Sequence, residues 1–520
     1  MNLSDFLRIT QAYAQRKAVQ TFGAVHRHAG FILAVQCAIY AFAYDALMPR
    51  GMYFSPDSVL YLSVSNIVPP TFSLLARALV EVEVALGSTR MVLLRYIVVA
   101  VYCFGGWLIA RSLIRSGRPV LAILVLPAIW SMSSLTQWFN YFLTDGIATA
   151  FLIACVGAYA NLYISIQETN TQNHGSRRWL LLFVLFGMIA FSMRPAFAFV
   201  APAMVVMMIN RQIFSWRRLA AVIIGVTVFA TAHFSFARFW HGQAPSQLGG
   251  VLTALVFDFP VPNQCPDSDE TDLCSTQRAL EPFIRASLSA KSFHDRYLFK
   301  VLNNGEVVRV ARSAVRGTDP YSALMEIAFA KIRYSPVDYI FTVLGDSYYS
   351  VRSWGDWAWN DSLGSVALVN ISNTNGVAKA VSSAMRSAAG IDFDPTIAQP
   401  PIDRFYKDYL FQFPRVLRKL NVVSHLAPVI LIGALLFSVL PMFYSASLLG
   451  SILFACCVLG IAGVVFQNAF FPVIPRLLDP FHPLAALGVL MLLAMAIENS
   501  SKQISLRDLL RRSGTKHYAT

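Results

Sequence analysis

The residues in this sequence that could do chemistry are ionisable groups set against apolar runs. Asp57 stands in Tyr53-Phe-Ser-Pro-Asp57-Ser58-Val-Leu-Tyr61, and Asp145 in Tyr141-Phe-Leu-Thr144-Asp145-Gly146. Arg194 stands in Met193-Arg194-Pro195. Arg476, Asp479 and His482 stand in Pro475-Arg476-Leu-Leu-Asp479-Pro-Phe-His482-Pro483. Charged groups at membrane depth are costly and tend to be functional. A carboxylate beside a low-dielectric wall holds a proton more tightly, which suits a general base. An arginine fork suits phosphate oxygens. Each residue also has a plainer reading. Asp57 and Asp145 would serve as helix N-caps, Arg194 would snorkel to headgroups, and His482 would be an interfacial polar residue. Four separate stretches that bring ionisable groups to one membrane level on one face are harder to explain this way than any single member.

The elements that position these residues follow from composition. The chain has 520 residues, 56% hydrophobic and 13% charged, against about a quarter charged in a soluble domain. The apolar residues fall into runs of roughly 17–25, the length that crosses a hydrocarbon core of about 30 Å. The candidate spans are Phe31–Leu47, Met91–Arg111, Val120–Trp138, Tyr141–Ile164, Trp179–Met193, Ala196–Asn210, Leu219–Phe239, Leu426–Tyr444, Leu448–Phe471 and Pro483–Ile497. The expected fold is an all-α polytopic membrane protein with about ten helices, since backbone in lipid must satisfy its own hydrogen bonds. Arg194-Pro195 separates the fifth and sixth spans, which are either two helices or a broken pair.

Orientation comes from the basic residues. Arg8, Arg16, Lys17 and Arg27 precede the first span. Arg115 and Arg118, then Arg177 and Arg178, then Arg211, Arg217 and Arg218 fill alternate gaps, and Lys502, Arg507, Arg511, Arg512 and Lys516 lie in the tail. With ten spans all of these share one side, so both termini are expected in the cytoplasm. The formal charge of +14 is then a topology signal rather than a nucleic-acid footprint. The expected units are a cytoplasmic segment 1–28, a seven-helix module 29–239 with a first outer loop 48–90, an extracytoplasmic domain 240–425, further spans over 426–497 and a basic tail 498–520.

Cys37, Cys103, Cys155, Cys456 and Cys457 lie inside apolar spans and read as core residues. Cys265 and Cys274 close a short acidic loop in the outer domain, where a disulfide would persist. Two free thiols, or a cation site made by Asp267, Asp269, Glu270 and Asp272, are the alternatives. Tyr321–Tyr349, interrupted at Ser335-Pro336, reads as amphipathic helices near the membrane. Trp354, Trp357 and Trp359 follow. They are either an interfacial aromatic belt or a wall that contacts a sugar or a lipid chain.

The layout resembles the GT-C superfamily, the membrane glycosyltransferases that use polyprenyl-phosphate-linked sugars, in particular the protein O-mannosyltransferase and aminoarabinose transferase type. Those enzymes carry an acidic motif in the first outer loop, where Ser-Pro-Asp57-Ser-Val-Leu-Tyr61 stands, often followed by a proline-containing amphipathic stretch like Val68-Pro69-Pro70. Thr144-Asp145-Gly146 matches their second acidic residue, and Arg194-Pro195 their later Arg-Pro. The long segment Trp240–His425 matches their large outer loop, and Arg476–Pro483 their late arginine and histidine run. Many members have Asp-Glu where this chain has Asp57-Ser58, so a divalent cation is an open possibility.

The resemblance implies an inverting glycosyltransferase in a bacterial inner membrane, with its site facing the periplasm. A sugar on a lipid phosphate already has a good leaving group, so the site needs a base for the acceptor and positive charge for the departing phosphate. Asp57 is the expected base and Asp145 its catalytic partner; Arg194, Arg476 and His482 are expected at the donor phosphate; Tyr61, Trp354 and Trp357 are expected at the sugar or lipid. The implied partners are a polyprenyl-phosphate-linked sugar, membrane lipids, and a glycan, lipid or protein acceptor, with no nucleic acid. The alternative functions are a transporter or flippase of a lipid-linked or small solute, and an O-antigen polymerase or ligase.

Overall fold

The computed structural model describes residues 28–42, 44, 56–62, 70–87, 92–130, 139, 144–168, 174–241, 248–261, 265, 271–317, 319–359, 383, 386, 447–470, 481 and 483–498, without the side chains at 56, 57, 59, 174, 195, 241 and 350–359. The expected span Leu426–Tyr444 and the residues Arg476, Asp479 and His482 lie outside the described residues.

Every regular element among the described residues is helical. α1 (His28–Phe42) precedes the short α2 (Pro56–Leu62) and α3 (Pro70–Ala85). Next come α4 (Leu93–Arg115), α5 (Pro119–Trp130), α6 (Thr144–Glu168) and α7 (His174–Met193). A 3-10 turn (Pro195–Phe197) leads to α8 (Val200–Met207) and α9 (Trp216–His241). α10 (Leu248–Val256), α11 (Asp272–Leu288), α12 (Phe293–Ala314), α13 (Pro320–Tyr334) and α14 (Pro336–Trp359) form a separate layer, and α15 (Leu448–Phe470) and α16 (Pro483–Glu498) close the chain. Five helices are long and apolar enough to cross a membrane: α4, α6, α7, α9 and α15. The shorter apolar helices α1, α5 and α16 coincide with three more expected spans.

α6 is the central helix. Its apolar window is 94% buried in protein, whereas that of α9 is 6% buried and faces outward. Small residues let α4 lie directly on α6. A Cβ added at Gly105 would sit 2.7 Å from the Ala154 nitrogen, and one at Gly157 2.6 Å from Leu108 Cβ. Close backbone approach of this kind replaces the hydrophobic drive that lipid cannot supply. Val98 meets Gly146, Gly105 meets Ala154 and Leu108 meets Gly157. The contacts ascend together, so α4 and α6 run parallel. α5 packs back along α4, with Gly106 against Leu126 and Tyr102 donating to the Ile129 carbonyl at 2.8 Å. α7 runs antiparallel to α6: Cys155 lies against the Phe183 carbonyl, and Asp145 meets Arg194.

Of the fifth and sixth expected spans, the fifth is the continuous helix α7 and the sixth is broken. From Arg194, level with Asp145, the chain descends through the 3-10 turn, α8 and further turns. Tyr159 donates to the Met207 carbonyl at 3.1 Å, and Gln212 reaches Gln167 at 3.2 Å. Residues 194–212 therefore follow α6 from its first turn to its last. Pro195 and Pro202 lack the amide hydrogen that a continuous helix needs. Irregular backbone at this depth is tolerated because it is packed in protein: Phe197, Val200, Met204 and Met207 are fully buried. α15 runs back up this segment, with Asn210 donating to Ser451 Oγ at 3.1 Å and Gln467 donating to the Ala196 carbonyl at 3.4 Å.

α10–α14 sit at the Asp145 end of the bundle, since Tyr339 of α14 donates to the Ala469 carbonyl in the last turn of α15. The basic residues Arg115, Arg118, Arg178 and Arg218 lie at the opposite end, as the one-sided charge pattern requires. The break at Ser335 between α13 and α14 falls where the sequence puts it. Cys265 and Cys274 form a disulfide, Cα–Cα 5.3 Å, that fastens the preceding chain to the first turn of α11. The core of this layer is partly ionic. Lys300 contacts Asp258 at 2.8 Å, and Lys331 donates to the Phe257 carbonyl at 2.7 Å and to Gln277 at 2.6 Å. Burial pulls Lys331 down to about 8 and pushes Asp346 up to about 7.

The glycine contacts define a test. A methyl at Gly157 would press on Leu108 Cβ and on the Gly105 carbonyl, whereas one at Gly460 meets nothing within 4 Å. Gly157→Ala should lower stability by about 1–3 kcal/mol, the usual cost of overpacking. Gly460→Ala should be neutral or slightly stabilising. Thermal unfolding of the two purified variants in one detergent checks this, and equal midpoints would contradict the α4–α6 register.

Candidate functional site

The site is built at the domain end of the bundle, where α2, α4, α6 and α7 meet. α2 begins at Pro56, whose fixed φ suits a first helical position. It is held from two sides. Arg77 of α3 donates through Nε to the Leu62 carbonyl at 3.2 Å, and the Tyr61 ring lies edge-on to Phe72 at 4.8 Å. The Tyr61 hydroxyl reaches Thr144 Oγ1 at 3.2 Å, which docks the first-loop helix on the start of α6. Asp57 lies one turn before Tyr61 in α2; its side chain is outside the described residues.

Asp145 occupies the first turn of α6, where the exposed amides favour a negative charge. Arg194 follows the last residue of α7, where the carbonyl ends favour a positive one. The two helices are antiparallel, so these ends lie together and Arg194 forms an ion pair with Asp145 through Nη1 and Oδ1. The Asp145 side chain is 1% exposed and that of Arg194 11%. The second carboxylate oxygen, Asp145 Oδ2, is buried with no hydrogen-bond partner among the described residues. Gly146 admits Phe139 and Val98 beside it; an added Cβ would lie 3.0 Å from the Phe139 ring.

Three further polar residues at this level escaped the sequence reading. Arg95 is 2% exposed in the first turn of α4. Val98 meets Gly146, so Arg95, almost one turn earlier in the parallel helix, is level with the start of α6. Its signal was available, as an arginine inside the apolar run Met91–Arg111. Glu83 of α3 is buried and accepts from the Val92 amide at 2.8 Å, holding the start of α4. Gln467 of α15 is buried beside Ala196, with Oε1 lacking a partner among the described residues. Only the pairing of α15 with the broken segment reveals it.

The structure therefore brings Tyr61, Thr144, Asp145 and Arg194 together and adds Arg95, Glu83 and Gln467 at the same end. Trp354 and Trp357 fall in the last turns of α14 by backbone, with side chains outside the described residues. Among the described residues no three His, Cys, Asp or Glu side chains group to hold a metal. The arrangement holds a buried arginine against a buried carboxylate whose second oxygen has no partner among the described residues. Both are shielded from bulk water, where such interactions are strong.

The ion pair has a measurable consequence. Removing one partner of a buried pair leaves an uncompensated charge and typically costs about 3–5 kcal/mol. Arg194→Gln should fall near the low end of that range, because the arginine retains some exposure. The double variant Asp145→Asn/Arg194→Gln should cost less than the two singles together, with a coupling of about 1–3 kcal/mol. Additive losses in a double-mutant cycle of unfolding would show that the pair does not form.

No protein-family model matches the chain, and no curated protein and no solved structure matches it.

Proposed function

We propose that the chain is an inverting membrane glycosyltransferase of the GT-C type. It would move a sugar from a polyprenyl-phosphate donor to a glycan, lipid or protein acceptor at the periplasmic face of a bacterial inner membrane. The observation that carries this reading is the buried Asp145–Arg194 pair, with buried Arg95 at the same level of the bundle and the first-loop helix docked on the start of α6 through Tyr61 and Thr144. Charges are expensive at this depth. The Asp145–Arg194 pair, with Arg95 and Glu83 buried at the same end, supplies both cations and carboxylates, which suits a substrate that brings both an anion and a hydroxyl.

In the reaction, the acceptor oxygen attacks the anomeric carbon from the face opposite the phosphate. The new carbon–oxygen bond forms as the bond to the phosphate oxygen breaks, which inverts the centre. The acceptor proton passes to Asp57. Asp145 orients the acceptor through Oδ2, the oxygen that Arg194 leaves unpaired. Arg95, Arg194 and Arg476 hold the departing phosphate with charge-assisted hydrogen bonds, and His482 assists as a neutral donor or a partner of Asp479. The lipid tail reaches the site sideways from the bilayer, which accounts for a charged site at the rim of a helix bundle.

Deletion of the gene should remove a sugar from a surface glycan, from lipid A or from glycoproteins. Wild-type protein should restore it. Asp57→Asn should insert normally but transfer roughly 10²–10⁴-fold more slowly, the usual contribution of a general base. Asp145→Asn should also be impaired. Near-normal transfer by a well-expressed Asp57→Asn protein would remove the base from the mechanism. Accumulation of a lipid-linked sugar on the cytoplasmic side would instead indicate a flippase.

A further inference from the structure

The outer face of α14 carries an apolar stripe with no charge in it. Val337, Ile340, Phe341, Leu344 and Tyr348 are all more than half exposed. At about 100° per residue they occupy an arc of roughly 100°, the width of a single helix face. Asp338 stands just outside that arc. The opposite face is packed: Val343 and Asp346 are buried, and Tyr349 stacks on Phe293 at 5.3 Å. Two contacts fix the rotation of the helix. A Cβ at Gly345 would lie 2.3 Å from the Phe293 ring, so the glycine lets that ring of α12 lie against the α14 backbone. Tyr339 donates to the Ala469 carbonyl at 2.6 Å. The stripe is thus held outward and cannot turn into the domain.

We propose that α14 lies in the membrane interface, with this stripe among the acyl chains of the leaflet next to the domain. Its position specifies the occupant. Ala469 belongs to the last turn of a membrane-crossing helix, and Val465, one turn below, is itself exposed. Tyr339 lies roughly opposite the stripe on α14, so the helix packs on α15 with its back and turns the stripe away from the bundle, at the level where α15 leaves the hydrocarbon. The other outer helices differ in chemistry. α11 and α12 expose the ion pairs Arg285–Glu281 and Arg309–Glu306, as water-facing helices do. An apolar face at an interface is stabilised in proportion to the area it removes from water. The proposal does not depend on the glycosyltransferase reading.

Spin labels on cysteines placed at Phe341 and Leu344, with Arg309 as the water-facing reference, test it in nanodiscs of phosphatidylcholine and phosphatidylglycerol. The free native cysteines are replaced beforehand. Oxygen concentrates in acyl chains, and a nickel chelate stays in water. The oxygen-to-nickel collision ratio at 341 and 344 should exceed that at 309 by several-fold. Tyr348 is the substitute site if a labelled variant fails to fold. Nickel access at 341 and 344 equal to that at 309 would overturn the proposal. So would low access to both reagents, which would mean that protein covers the stripe.

Discussion

The pairing of Asp145 with Arg194 organises the bundle at its domain end. A carboxylate 1% exposed at the start of a membrane helix has no water to neutralise it. Its cation must come from the protein, and the end of α7 supplies it. Pro195 biases Arg194 away from helical geometry, so α7 stops at Met193 and Arg194 stands at the carbonyl end of the helix. Asp145 stands at the amide end of α6. Each charge complements the helix terminus that carries it before the two meet. The pair therefore fixes the depth at which α6 and α7 register, and with it the height of Thr144, Tyr61 and α2.

The broken sixth span follows from the same proline. A chain that leaves α7 through Arg194-Pro195 cannot start a regular helix at once, and its carbonyls and amides need other partners. Tyr159 donates to the Met207 carbonyl, Asn210 donates to both Tyr159 and Ser451, and Gln467 donates to the Ala196 carbonyl. These polar side chains come from α6, α15 and the segment itself, so the broken backbone finds its partners in protein while Val206 and Ile209 face outward. Gln467 also links α15 to the Arg194 turn, so the late and early parts of the chain share one site wall.

The spans α4, α6, α7, α9 and α15 were legible because run length alone identifies a membrane helix. So were the Ser335 break and the Cys265–Cys274 bond, since each depends on residues close in sequence. Asp145 and Arg194 were recognisable singly, but not as partners. They are 49 residues apart, and only the antiparallel register of α6 and α7 joins them. Arg95 was visible as a charge in an apolar run, but its level at the site was not, because that depends on the register of α4 against α6. Lys300 and Lys331 were unreadable for a related reason: their partners Asp258, Gln277 and the Phe257 carbonyl come from other elements. In sequence Trp354 and Trp357 read only as an aromatic cluster after the amphipathic stretch, and the helix of α14 runs through both. Hydrophobic pattern reveals elements, whereas the site depends on how elements are paired.

If this paired end is where a lipid phosphate binds, it should be found there directly. A photoreactive polyprenyl phosphate, irradiated with the purified protein in lipid nanodiscs, would be followed by peptide mapping. The account predicts that labelled peptides contain α2, the start of α6 around Thr144–Gly146, or the Arg194–Phe197 turn. It also predicts that unlabelled polyprenyl phosphate competes, and that Arg95→Gln reduces the labelling. Labelling spread along the lipid-facing surface of α9, unaffected by competitor or by Arg95→Gln, would contradict it.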